Sequence, residues 1–151
     1  MDRRLKTVEL HSLLTEVCKS FESKARKQRV SIELDVPSVV HLKTNDQSIR
    51  TAIQVMIELA VNNSPSESNV LITVCEGPNG CEIEVADGGM QQTGDSGIWA
   101  NASNELSFLQ RFVSEHSGRL DVWPCPQGGS AIAITLPRHK QTTIQDHRRA
   151  A

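Results

Sequence analysis

Thr44-Asn45-Asp46-Gln47-Ser48-Ile49-Arg50-Thr51-Ala52-Ile53-Gln54-Val55-Met56-Ile57-Glu58-Leu59-Ala60-Val61-Asn62-Asn63-Ser64-Pro65 is the stretch whose reading decides the fold. Thr44 and Gln47 are spaced as a capping box, in which two side chains satisfy backbone N–H groups left free where a helix begins. Ile49, Ala52, Ile53, Met56 and Ala60 recur at three- and four-residue intervals, which predicts a helix with one core face. Ser64-Pro65 ends it, because the residue before a proline is driven out of helical backbone. Val55, Leu59 and Asn62 fall on a flank beside the core face.

Upstream, Leu10, Leu13, Leu14, Val17 and Phe21 predict an amphipathic helix over roughly 8–28. Val30-Ser31-Ile32-Glu33-Leu34-Asp35-Val36 alternates as a strand with one buried face does, and Val39-Val40-His41-Leu42 is a second, short strand. Downstream, strands at about 69–75 and 81–86 flank the turn Glu76-Gly77-Pro78-Asn79-Gly80. After Asp87 the pattern dissolves until about 103. A third helix over roughly 104–117 presents Leu106, Leu109, Phe112 and Val113, with Gly118 as a left-handed stop. Strands at about 119–123 and 130–136 close the chain's order around Pro124-Cys125-Pro126-Gln127-Gly128-Gly129.

This order predicts an α/β (α+β) two-layer sandwich: a mixed, mostly antiparallel sheet of about five to six strands, covered on one face by three helices. A chain of 151 residues amounts to about one domain. It divides into an N-terminal linker, 1–7, a folded domain, 8–137, and a polar tail, 138–151, expected to be disordered. The 16 basic and 18 acidic residues, net −2, argue against a dedicated nucleic-acid binder. The basic ends, Arg3-Arg4-Lys6 and Arg138-His139-Lys140 through Arg148-Arg149, read as solvated tails. No apolar run approaches the roughly 18 residues that span a membrane, and a cytoplasmic protein with no signal peptide and no membrane contact is expected. Cys75 and Cys81 flank a tight turn and are placed to approach across a hairpin, yet all four cysteines read as reduced thiols.

The chain resembles the catalytic and ATP-binding domain of sensor histidine kinases, the Bergerat-fold class shared with type II topoisomerases and mismatch-repair ATPases. Four stretches over about 8–137 carry the resemblance. Val8-Glu9-Leu10 with Leu13-Leu14 is similar to the entry into the domain, and the helix quoted above to the asparagine-box helix. Ile83-Glu84-Val85-Ala86-Asp87-Gly88-Gly89 is similar to the first glycine box. Phe112-Val113-Ser114-Glu115-His116-Ser117-Gly118-Arg119-Leu120 is similar to the end of the closing helix, with Gly128-Gly129 and Ile132-Ala133-Ile134-Thr135-Leu136-Pro137 as the last hairpin.

The resemblance implies a nucleotide site, and the residues that would form it depart from the pattern. Asp87 takes the place of the aspartate that accepts a hydrogen bond from the adenine amino group, with Gly89 following, although Asp-Gly-Gly after a strand is also a common turn. The box's second glycine falls at Gln91, whose side chain intrudes where bare backbone approaches a ligand. Val55 and Leu59 stand where the family has asparagines, the second of which holds Mg²⁺. Neither offers oxygen to a hard cation, and both read as widening the core face. Asn62 and Asn63 replace a basic and an aromatic residue. Glu58, near a general-base position of the wider class, reads as a surface residue. The Gly-x-Gly run that cradles phosphates falls at Ser103-Asn104-Glu105, where no glycine remains and Glu105 adds negative charge. Gly94-Asp95-Ser96-Gly97 lies too early to replace it. The shortened lid carries Ile98-Trp99, a pair that packs on the sheet or plugs the cleft.

Phosphotransfer in the family also needs a histidine on a separate helical hairpin. His11, His41, His116, His139 and His147 lack that motif's context, and His116 reads as a capping or packing residue. The chain is therefore expected to be a fragment of a longer sensor protein, cut near Val8-Glu9-Leu10. The resemblance implies a degenerate ATPase-type domain in two-component-type signalling with weak or absent ATP binding. Its vestigial site comprises Asp87, Gly89, Asn62 and Asn63 beside Val55 and Leu59, with no catalytic residue, no metal ligand and no cofactor expected. An active domain binding ATP and Mg²⁺ is one alternative. A non-enzymatic adaptor binding a response regulator is the other. The expected partner is a protein such as a sensor kinase or response regulator.

Overall fold

In the computed structural model of the protein, which describes residues 5–88, 103–126 and 128–137, the central helix runs Asp46–Asn63. Its N-cap is Asn45 rather than Thr44, and the Asn45 side chain accepts from the Ser48 N–H at 2.9 Å. Both residue types cap helices, but Thr44 ends a strand and is buried there, its β-branched side chain suited to that backbone. The buried face is wider than the expected stripe. Ile57, Leu59 and Val61 join Ile49, Ala52, Ile53, Met56 and Ala60, because the helix is covered by a sheet below and by helices on both flanks.

Along the described chain the elements are β1 (Lys6–Glu9), α1 (Leu10–Ser20), α2 (Glu22–Gln28), β2 (Val30–Asp35), β3 (His41–Thr44), α3 (Asp46–Asn63), β4 (Ser68–Gly77) and β5 (Gly80–Ala86). They continue with α4 (Ser103–Glu115), β6 (Arg119–Pro124) and β7 (Ser130–Leu136). Five strands form one sheet in the order β2-β4-β5-β7-β6, with β2 and β4 parallel and the other pairs antiparallel. β1 and β3 make a separate antiparallel ribbon. The mixed two-layer α/β architecture is as expected, with the helices packed on one sheet face over Ile72, Ile83, Ile132 and Ile134.

Several boundaries are corrected. The helix expected over 8–28 is three elements. Val8 and Glu9 belong to β1, and Phe21 interrupts the rest with a backbone of φ −100° and ψ 0°. The Glu9 side chain caps α1, which a continuous helix through Glu9 would forbid. Lys6 and Thr7, read as linker, pair with Thr44 and Lys43 in the ribbon. The strand expected at Val39–Leu42 lies at His41–Thr44, leaving Val39 61% exposed; β1, unseen in the sequence, fixes that register. Strand register also puts Cys75 opposite Glu82 and Cys81 opposite Glu76, so the two thiols lie on opposite sheet faces. Cys75 is exposed and Cys81 buried. Finally, the left-handed residue after α4 is Ser117 (φ 57°), not Gly118. Gly118 is needed for proximity, since a Cβ there would lie 2.3 Å from the Thr135 carbonyl oxygen.

Candidate functional site

Three element ends converge where β5 stops. The β5–β7 register, with Ala86 opposite Ala131, places Asp87 beside Ser130, and the two exchange hydrogen bonds. The Asp87 N–H donates to the Ser130 carbonyl at 2.9 Å, and the Ser130 N–H donates to Asp87 Oδ1 at 3.1 Å. The end of α3 supplies the third side: Asn63 Nδ2 donates to Asp87 Oδ2 at 3.2 Å. Asp87 is 6% exposed, so its charge is held by donors rather than by bulk water. The next residue of α3's cap closes the ring, with Ser64 Oγ donating to the Ala60 carbonyl at 2.8 Å and accepting from the Gly88 N–H at 3.4 Å. Gly88 must lack a side chain there, because a Cβ would lie 2.9 Å from Ser68 Cβ.

The candidate residues separate accordingly. Asn63 and Asp87 are brought together, whereas Asn62 is exposed on the helix surface. The i, i+4 row that leads to Asp87 is therefore Val55, Leu59, Asn63, rather than the row ending at Asn62. Leu59 is 9% exposed and lies in the hydrophobic core, and Val55 packs half-buried against that core. Glu58 points to solvent and pairs with Lys24 at 3.3 Å. Glu105 and Asn104 fall inside the first turn of α4. Gly89, Gln91, Gly94-Asp95-Ser96-Gly97 and Ile98-Trp99 lie outside the described residues, as do residues 138–151. His116 packs just after the end of α4: a ring nitrogen, Nδ1, lies 2.9 Å from the Phe112 carbonyl oxygen, and its ring centroid lies 4.4 Å from that of Phe112, with the two planes tilted by 37°. Ser130 and Ser64 were not singled out in the sequence, because only the strand register and the helix end bring them to Asp87.

Burial pushes the Cys125 thiol up, and the charges on Asp87 and Glu84 push it further. The Glu84 carboxyl is itself raised by burial and then by Glu82. Among the described residues, no group of three His, Cys, Asp or Glu side chains could hold a metal ion.

Solved structures share this arrangement of strands and helices. The nucleotide-free catalytic domain of histidine kinase ThkA superposes with a TM-score of 0.77 at 18% identity, covering 91% of this chain and 98% of that one. The cytoplasmic segment of histidine kinase QseC gives 0.73 at 17% identity, covering 91% and 80%. This is the fold of a histidine-kinase catalytic domain. Full-length ShkA, solved in complex with AMPPNP, superposes on this chain with a TM-score of 0.77 at 19% identity, over 91% of this chain and 32% of its own. In sequence, the sensor-like histidine kinase SenX3 of Mycolicibacterium smegmatis is 21% identical over 89% of this chain. The chain spans 39% of the length of that curated relative. No family model matches the chain. Among the described residues, no helix is long and apolar enough to cross a membrane.

Proposed function

We propose that this chain is a histidine-kinase-like ATPase domain kept as a signalling module in a two-component-type system, with weak or absent ATP binding. The observation that carries the reading is Leu59, 9% exposed within the core on the α3 row that leads to Asp87. Val55 precedes it by one turn and Asn63 follows by one turn, so two of the three side chains on that row are hydrocarbon. A Mg²⁺-nucleotide needs protein oxygen at short, near-octahedral distances. Leu59 supports the reading because replacing it with such a ligand would put a polar group into an apolar interior. Glu105 in the first turn of α4 adds to it: that carboxylate suits the helix dipole and competes with a phosphate for the same end.

The partner of such a module is a protein of the same signalling class, a sensor kinase or a response regulator, and the site contributes structure rather than chemistry. Calorimetric titration of ATP with Mg²⁺ tests the reading. Binding weaker than about 100 µM, or none, is expected; binding tighter than that, about 5.5 kcal/mol, would overturn it in favour of an active ATP-binding domain.

A further inference from the structure

β2 ends the five-stranded sheet, and among the described residues its outer edge pairs with no strand and receives no other backbone hydrogen bond. Its six residues run in unbroken register with β4 and include neither proline nor lysine. Such an edge presents free backbone N–H and C=O groups to an extended segment. Its two faces differ. On the helix side Val30 is buried, but Ile32 and Leu34 stay half-buried, where a groove of about 470 Å³ separates them from α1 and α2. The rim of that groove carries Lys19, Glu22 and Arg26, which set no single sign. On the open side the strand carries Ser31, Glu33 and Asp35, all exposed. Their β4 neighbours are Asn69, Leu71 and Thr73, and neither carboxylate has an ion pair among the described residues.

We infer that β2 is a docking edge for an extended, basic segment of a protein partner, which joins the sheet as a sixth strand. Main-chain hydrogen bonds to the edge hold such a strand, and pockets for alternate side chains select it. Successive side chains of a strand point to opposite faces, so every second residue enters the groove beside Ile32 and Leu34 and is apolar. The residues between them lie beside Glu33 and Asp35 and are Lys or Arg, since opposite charges attract across strands and like charges repel. The two carboxylates thereby turn away acidic segments. No residue of the Asp87 cluster takes part, so the inference stands apart from the nucleotide question.

The probe is a short, capped peptide alternating Lys and Val, titrated into the full chain by NMR, with a Glu–Val peptide as its inverse. The Lys–Val peptide should shift the Ile32 and Leu34 methyl signals and slow hydrogen exchange at the outward amides of β2. The Glu–Val peptide should bind about tenfold more weakly. Glu33→Lys combined with Asp35→Lys, at two exposed positions, should invert that preference. Binding without slowed exchange in β2 overturns the inference, and so does a preference that the charge reversal leaves unchanged. No detectable binding at millimolar peptide overturns it too. Concentration-dependent protection of the same amides in the chain alone would replace the partner with a second copy. Decanoate that shifts the two methyl signals at lower concentration than the peptide would assign the groove to a small amphiphile; either result overturns the inference. The ATP–Mg²⁺ titration reads the nucleotide site alone, so its outcome and this one are separable.

Discussion

Glu9 ties β1, the start of α1 and the residue before β3 together through one carboxylate. Its Oε1 accepts from the Ser12 N–H at 3.0 Å and the Ser12 hydroxyl at 2.8 Å, and its Oε2 accepts from the His11 N–H at 3.0 Å and the Val40 N–H at 3.2 Å. The Ser12 hydroxyl first, and then the Val40 N–H, hold this carboxyl down at about 2, against an ordinary 4.5. A carboxyl whose folded value is depressed stabilises above its unfolded value and loses that contribution as pH falls through the folded one. Glu9 therefore supports the fold fully above about pH 4.5 and progressively less toward about pH 2. Thermal melts across that window should fall less steeply for Glu9→Gln than for wild type; identical slopes would rule out this role. Gly118 offers a second residue-scale test. Its missing Cβ is what lets α4 turn back against β7, so Gly118→Ala should destabilise by about 1–3 kcal/mol in urea unfolding. An unchanged midpoint would show that Thr135 can move aside.

At the scale of the element, α3 carries both the core and the candidate site, and its two roles constrain each other. Toward the sheet and flanking helices it buries Ile49, Ile53, Met56 and Ile57 completely. Leu59 extends that surface onto the flank where the site lies, so chemistry and packing compete for the same positions. Leu59→Asn should cost about 2–5 kcal/mol, from lost apolar burial and an amide that must find partners in the core. Val55→Asn, half-buried, should cost less than about 1.5 kcal/mol. Chemical denaturation of the two variants measures the contrast, and equal costs would mean that Leu59 is not a core residue in solution. The periodicity of α3 was legible because hydrophobic spacing alone specifies a helix. Its cap was misplaced by one residue because Thr44 and Asn45 are both good caps, and only the pairing of β3 with β1 decides between them.

For the whole molecule, the legible parts were those fixed locally, and the rest depends on partners distant in sequence. The β4–β5 hairpin and the β6–β7 pair could be read from alternation and turn residues. Asp87 could be singled out at its strand end. Ser130, 43 residues away, could not, because its contact with Asp87 follows from cross-strand register. The break at Phe21 was equally hidden, since its ring still packs against the core and so preserves the helical spacing of apolar residues. The cysteines test the assembled fold in one measurement, because each reports a different layer. Cys75 is exposed on the open sheet face, while Cys81 is buried under the helices. Cys18 lies half-buried on α1, with its thiol pushed up by burial to about 11. Cys125 is half-buried after β6, and burial first, then the charges on Asp87 and Glu84, raise it too. Since the thiolate is the reactive form, native alkylation at neutral pH should modify Cys75 first and leave the other three markedly slower. In denaturant all four should react alike, which separates protection by the fold from intrinsic reactivity. Mass spectrometry of a timed iodoacetamide reaction reads the order directly. Early modification of Cys81 would contradict the strand register of β4 and β5, and early modification of Cys125 would contradict the raised Cys125 thiol.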